Sequence, residues 1–207
     1  MSVESLLSIS PVIPVVTLHD PRHAVPLART LLEGGIGVIE VTLRTPAAIT
    51  AIEQIATQVG GIAVLAGTVC SEEQARASLR AGAAAIVSPG ITEHLAGVVR
   101  KLDAAWLPGI ATASEIMRGL EFGLDHFKLF PAKVAGGLEA LEAFAGPFPG
   151  VRFCPTGGID QSNSQRYLGL ANVACVGGSW IAPTGLVQAA DWNSIRANAE
   201  FAAALRR

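Results

Sequence analysis

Two charged side chains stand where a buried strand calls for apolar ones. In His126-Phe127-Lys128-Leu129-Phe130-Pro131, period-two alternation puts Phe127 and Leu129 on one face of a strand and Lys128 and Phe130 on the other. Lysine is seldom buried without a partner. An amine kept from water holds its proton less firmly and becomes a nucleophile toward carbonyl carbon near neutral pH, which is the chemistry of imine (Schiff-base) formation. The competing reading is a lysine that snorkels to a rim or pairs with Glu40. In Val38-Ile39-Glu40-Val41-Thr42-Leu43-Arg44, the same alternation separates Val38, Glu40, Thr42 and Arg44 from the wholly apolar set Ile39, Val41 and Leu43. A carboxylate on the inner face of a sheet is costly unless it is paired or used. Glu40 is therefore either a proton-transfer group or half of a structural ion pair with Arg44.

A second kind of signal is backbone chemistry. Thr156-Gly157-Gly158 follows one apolar run and Gly177-Gly178-Ser179 follows another. Glycines let N–H groups approach an oxyanion closely, so two such loops at neighbouring stations point to phosphate. Thr68, closing Leu65-Ala66-Gly67-Thr68, and Ser88-Pro89-Gly90 either face a site or serve as turns. His19, His23, His94 and His126 have no spacing that builds a metal site, and His126 opens its run at the end away from Pro131.

These residues need elements to hold them. Short apolar runs ending in glycine, proline or a small polar residue predict eight strands: Val12 to Leu18, Val38 to Leu43, Ala63 to Gly67, Ala84 to Ser88, Ala105 to Pro108, Phe127 to Phe130, Arg152 to Thr156 and Val173 to Gly177. Helical segments lie between them, as crossovers between parallel strands require. Asp20-Pro21 and Thr45-Pro46 read as an N-cap followed by proline at the first helical position. Ser71 with Gln74 and Thr112 with Glu115 have capping-box spacing. Evenly spaced β-α units, eight in number and without a linker, predict a single α/β domain over residues 1–207, a (β/α)8 TIM barrel. A short helix from Ser2 to Ser8 would cap its bottom. A doubly wound open sheet is the alternative, because it is written with the same alternating elements. In the barrel, polar residues at the C-terminal strand ends face the catalytic mouth, and the loops after strands seven and eight commonly bind phosphate.

Composition limits the partner. Of 207 residues half are hydrophobic and only 15% charged, with 22 glycines and 12 prolines, which excludes disorder, coiled coil and collagen. A net charge of -2 offers no basic field for nucleic acid, so the partner is a small molecule. Cys70, Cys154 and Cys175 lack disulfide or zinc spacing and read as plain buried thiols in a reducing compartment. The first ten residues lack a signal-peptide pattern and no long apolar span appears, so no membrane association and a cytoplasmic location are expected.

The segment Gly35-Ile36-Gly37-Val38-Ile39-Glu40-Val41-Thr42-Leu43-Arg44 resembles the first signature of the family of 2-keto-3-deoxy-6-phosphogluconate (KDPG) and 4-hydroxy-2-oxoglutarate (KHG) aldolases. Gly123 through Phe127-Lys128-Leu129-Phe130-Pro131-Ala132 to Gly136 resembles the second. The likeness continues through LAGTV, SPG, PGIAT, RFCPTGGI and GGSW in order along the chain. The resemblance implies a class I aldolase on a (β/α)8 barrel, homotrimeric, with no metal and no organic cofactor. It implies Lys128 as the Schiff-base lysine and Glu40 as the proton shuttle. Arg44 and Thr68 would hold the substrate carboxylate end, and Thr156, Gly157, Gly158, Gly178 and Ser179 would surround the phosphate. Pro89 and Phe130 would line the pocket of a keto-acid phosphate substrate. Three other readings stay open. A metal-dependent sugar-phosphate epimerase would need His and Asp at strand ends, which are missing. A sugar-phosphate sensor would have no use for a buried Lys128 and Glu40. An aldolase acting mainly on a phosphate-free hydroxy-oxoacid is the hardest to separate.

Overall fold

The computed structural model describes residues 1–205. A short helix α1 (Val3–Leu7) precedes the first strand, β1 (Val12–Val16), and a 3-10 turn (Pro21–His23) leads into α2 (Ala24–Glu33). There follow β2 (Val38–Thr42), α3 (Ala48–Gln58), β3 (Ala63–Gly67), α4 (Glu72–Arg80), β4 (Ala85–Ser88) and α5 (Glu93–Lys101). The chain continues through β5 (Trp106–Ile110), α6 (Ala113–Glu121), β6 (His126–Leu129), α7 (Gly137–Ala145), β7 (Arg152–Phe153) and α8 (Ser164–Leu168). It ends with β8 (Val176–Gly178), α9 (Thr184–Gln188) and α10 (Trp192–Ala203). The strands form one curled parallel sheet in the order β7-β6-β5-β4-β3-β2-β1-β8. Between the two ends of that order, isolated bridges join Phe153 to Val173 and Thr156 to Gly177.

Alternation along the strands sorts side chains into two cores. Ile13, Val38, Leu65, Ala85, Val87, Leu107, Cys154 and Cys175 pack together on the concave side, and Leu6 and Leu7 of α1 close over them. Val12, Ile39, Val41, Val64, Ala66, Ile86, Phe127, Leu129 and Phe153 face the helices, where they meet residues such as Leu27, Ile52 and Ile116. Helix α1 is therefore held by burial of two leucines, and the side chain of Ser2 caps it by accepting from Ser5 N–H. The concave apolar plug fills the N-terminal half of the strands, which leaves the polar inward positions for the C-terminal ends.

Local signals explain several helix starts. Thr112 and Glu115 form a complete capping box on α6, and Ser71 caps α4 through Gln74 N–H. The Gln74 side chain accepts from Cys70 N–H at 2.7 Å, one residue before the cap. Asp20 caps the 3-10 turn, with Arg22 N–H as donor. The expectation at Thr45-Pro46 needs correction, because α3 starts only at Ala48 and the Thr45 hydroxyl donates to Leu18 carbonyl instead. That bond ties the loop after β2 to the end of β1. Strand seven is also shorter than expected: Pro155 has no N–H, so regular pairing stops at Phe153. Cys154 N and Thr156 N still donate to Phe127 and Leu129 carbonyls at 2.8 and 3.0 Å. Cys154 and Cys175 are buried as expected, but Cys70 is exposed, because the loop after β3 carries it out of the core.

Helix α6 lies unusually close to β6. A methyl group on Gly119 would overlap the buried Phe127 ring, whereas one on Gly97 of α5 would meet nothing. Gly119→Ala should therefore destabilise the fold by about 1–3 kcal/mol, while Gly97→Ala should stabilise it by about 0.4–1 kcal/mol. Denaturant unfolding of both variants checks this, and a Gly119→Ala protein as stable as the parent would contradict the packing described.

Candidate active site

Glu40 on β2 and Lys128 on β6 meet across the concave face, with β3, β4 and β5 running between their strands. Lys128 Nζ donates to Glu40 Oε1 at 2.8 Å and to Oε2 at 3.0 Å. The two side chains are 7% and 5% exposed, so the pair is dry enough for its charges to be felt strongly. The Phe130 ring lies 5.3 Å from Nζ and offers its face to the ammonium. Gly67 makes the geometry possible: a Cβ there would overlap Glu40 Oε1 and come within 2.7 Å of its Cγ. The expected choice between a used Glu40 and a Glu40–Arg44 ion pair resolves in favour of Lys128 as the partner.

Arg44 instead reaches over the loop after β3, where its Nε donates to Thr68 Oγ1 at 3.3 Å. Thr68 has φ 63°, a left-handed backbone that costs a non-glycine residue roughly 1–2 kcal/mol. The conformation carries its hydroxyl to the guanidinium. Arg44 thereby leaves its remaining donors for a ligand anion, in the bidentate geometry that suits a carboxylate.

A cavity of about 180 Å3 opens at the C-terminal ends of β1, β7 and β8. Its walls are Val15, Thr17, Arg44, Phe130, Thr156, Gly157, Gly158, Ile159, Gly177, Ser179, Ala182 and Thr184. Gly157 and Gly158 both have positive φ, 103° and 78°, and their N–H groups donate to no acceptor among the described residues. The loop that carries them is anchored: Asn163 Nδ2 donates to Gly158 carbonyl at 3.1 Å, and Ala132 and Lys133 N–H groups donate to Thr156 and Gly157 carbonyls. Next along, the Ser162 hydroxyl and N–H and the Asn163 N–H donate to Asp160 Oδ1, which ties that turn down and holds the carboxyl below its ordinary pKa. Fixed carbonyls and two N–H groups without a protein acceptor equip this end of the cavity to cradle an oxyanion.

Of the residues expected at the site, the structure brings Arg44, Phe130, Thr156, Gly157, Gly158 and Ser179 to one cavity, with Lys128 and Glu40 beside Phe130 and Thr68 on Arg44. Gly178 does not line the cavity. Strand alternation turns its Cα toward Trp180 and Val12, and Gly177 is the inward residue, packed against Thr156. Pro89 also lies outside the lining; its carbonyl abuts Gly109 of the neighbouring strand β5. Thr17, Val15 and Thr184 line the cavity without having been singled out. For Thr17 the signal was present, since alternation from Ile13 through Val15 reaches it at the end of β1. A larger cavity of about 480 Å3 lies at the opposite strand ends against Met1, Ile9 and Gly37, and its lining carries no charged or hydroxyl side chain. Among the described residues, no three His, Cys, Asp or Glu side chains converge as metal ligands, and no helix is long and apolar enough to cross a membrane.

The family model "Aldolase: KDPG and KHG aldolase" matches residues 3–198. The 2-dehydro-3-deoxy-phosphogluconate aldolase of Pseudoalteromonas atlantica is 48% identical over 99% of this chain and 95% of that protein. The KHG/KDPG aldolase of Escherichia coli K12 is 47% identical over 94% and 91% of the respective chains. The crystal structure of KDPG aldolase from Legionella pneumophila, with pyruvate captured at low pH as a covalent carbinolamine, superposes with a TM-score of 0.95 at 44% identity over 97% and 98% of the two chains. The chain belongs to the KDPG and KHG aldolase family.

Proposed function

We propose that the protein is a class I aldolase that reversibly cleaves KDPG to pyruvate and D-glyceraldehyde 3-phosphate, the aldol cleavage of the Entner-Doudoroff pathway. The observation that carries this reading is the enclosed Lys128–Glu40 pair, at 2.8 and 3.0 Å, beside a cavity with one cationic and one oxyanion-binding end. The carbinolamine of pyruvate in the Legionella relative supports it.

The chemistry follows from the pair. Transfer of the Lys128 proton to Glu40 frees an amine, which attacks the C2 ketone to give a carbinolamine. Loss of water, assisted by the proton now on Glu40, yields a protonated imine. Glu40, again a carboxylate, removes the C4 hydroxyl proton. The C3–C4 bond breaks, its electrons pass into the imine to form an enamine, and glyceraldehyde 3-phosphate leaves. Protonated Glu40 delivers a proton to C3, and hydrolysis of the imine releases pyruvate and restores Lys128. The protonated imine is the electron sink, so no Lewis acid is required.

Arg44, held by Thr68, takes the substrate carboxylate, and Phe130 packs on the keto-acid carbons beside Lys128. Thr156, Gly157, Gly158 and Ser179 receive the phosphate, with Gly178 contributing backbone alone and Pro89 forming part of the outer rim. We read the sheet as a closed (β/α)8 barrel forming a single domain over the whole chain; the bridges from Phe153 and Thr156 to Val173 and Gly177 support that closure. By resemblance the barrel assembles as a homotrimer in the cytoplasm, and exposed Met117, Leu120 and Val134 supply apolar surface for such contacts. KHG is a second substrate of the same site, a reading favoured by the name of the Escherichia coli relative.

Purified protein in buffer containing a chelator should release pyruvate from KDPG. Glu40→Gln should fold normally and lower turnover roughly a hundred- to ten-thousand-fold, as loss of a positioned proton-transfer group does. A stability loss with little change in turnover of the folded fraction would return Glu40 to a purely structural role. Ser179→Ala should cost KDPG cleavage about 1–3 kcal/mol in transition-state binding and KHG cleavage less, because the lost hydrogen bond is to a charged group. Equal losses on both substrates would put the phosphate elsewhere.

A further inference from the structure

Thr17 follows β1 directly, is half-buried, and lines the cavity, yet the reaction described above gives it nothing to do. Its hydroxyl lies 2.9 Å from the hydroxyl of Thr42, which is buried at 1% exposure. Each hydroxyl has one proton and two lone pairs. Thr42 Oγ1 donates its proton to Val16 carbonyl at 3.0 Å, an atom that can only accept. The contact between the two threonines is then a hydrogen bond only if Thr17 is the donor. Thr17 Oγ1 thus turns toward the cavity with a lone pair and no proton, which makes it an acceptor for ligand O–H groups and a poor neighbour for carboxylate or phosphate.

Its place in the sheet says which part of the ligand it meets. The strand order β2-β1-β8 sets Thr17 between Arg44, beyond β2, and Ser179, beyond β8. A ligand with its carboxylate at Arg44 and its phosphate at Ser179 must pass Thr17 with the hydroxyl-bearing carbons between them. The C4 hydroxyl gives its proton to Glu40, which leaves the C5 hydroxyl. We propose, resting on the aldolase reading above, that Thr17 is a specificity-determining residue that accepts a hydrogen bond from the C5 hydroxyl of KDPG, which is the C2 hydroxyl of glyceraldehyde 3-phosphate.

The test runs the reaction in the direction of condensation, with pyruvate and either glyceraldehyde 3-phosphate or 3-phosphooxypropanal, which lacks only that hydroxyl. The parent protein should favour the hydroxylated aldehyde in kcat/KM by roughly threefold to tenfold, the range of one neutral hydrogen bond. Thr17→Ser should keep the preference. Thr17→Val, or Thr17→Ala if the valine variant folds poorly, should bring the ratio close to one. Equal losses on both aldehydes, with the ratio kept, would overturn the role of Thr17 and leave it as a brace for Thr42. No condensation of either aldehyde by the parent protein would overturn the aldolase reading, and the Thr17 proposal with it.

Discussion

The site depends on a single buried ion pair that reaches across the concave side of the sheet. Removing two charges from water costs several kcal/mol for each ion, and mutual attraction repays this only when the remaining hydrogen-bonding capacity is also used. Lys128 and Glu40 share two short bonds, and the Phe130 ring faces the ammonium; no further hydrogen bond from the described residues reaches either group, so the cost is offset only in part. The pairing also makes the chemistry available. An amine and a carboxylate at hydrogen-bond distance exchange a proton without solvent, so each can hold the other's proton at successive steps. In the proposed mechanism the structural cost and the catalytic use are properties of one contact.

The rest of the inner face is arranged around that pair by height along the strands. Below it, Ile13, Val38, Leu65, Val87 and Leu107 form a plug that α1 seals with Leu6 and Leu7. Above it stand the residues able to bind anions. Gly67 is the point where both requirements meet, since any side chain there would occupy the volume of the Glu40 carboxylate. At the mouth, backbone conformation decides which polar groups are presented. Thr68 adopts a left-handed conformation to place its hydroxyl on Arg44, and Gly157 and Gly158 do so with N–H groups that meet no acceptor among the described residues. Only Thr68 bears a steric cost for this; the two glycines do not, and Asn163 and Asp160 hold their loop in place by hydrogen bonds.

Much of this was legible in the sequence because strand alternation is a geometric rule. It places Glu40 and Lys128 inside and Ile39, Val41, Phe127 and Leu129 outside from residue order alone. The strand number, most helix caps and the glycine loops followed from local residue chemistry, as at Thr112 and Ser71. What sequence could not resolve depended on contacts between distant segments. Glu40 had two plausible cationic partners, and only the crossing from β2 to β6 decides for Lys128. Thr45 looked like a helix cap, but Leu18 carbonyl competes for its hydroxyl. Gly177 rather than Gly178 faces inward because the pairing of β8 with β1 sets Gly177 beside Ile13, an inward residue, and that register is a contact between the two ends of the chain. A threonine after a strand is ordinary in sequence, and what sets Thr17 apart is a contact with Thr42 on the neighbouring strand.

The account stands or falls on a covalent bond between Lys128 and pyruvate. Borohydride reduction of the protein in the presence of pyruvate, followed by peptide mapping, reads that bond directly. The account predicts one carboxyethyl group per chain, on the peptide that contains Lys128 and not on Lys101 or Lys133, with loss of activity in step with labelling. In Lys128→Arg both label and cleavage should be absent, because a guanidinium keeps its proton and cannot attack a ketone. An active protein that cleaves KDPG while Lys128 stays unmodified under these conditions would contradict it.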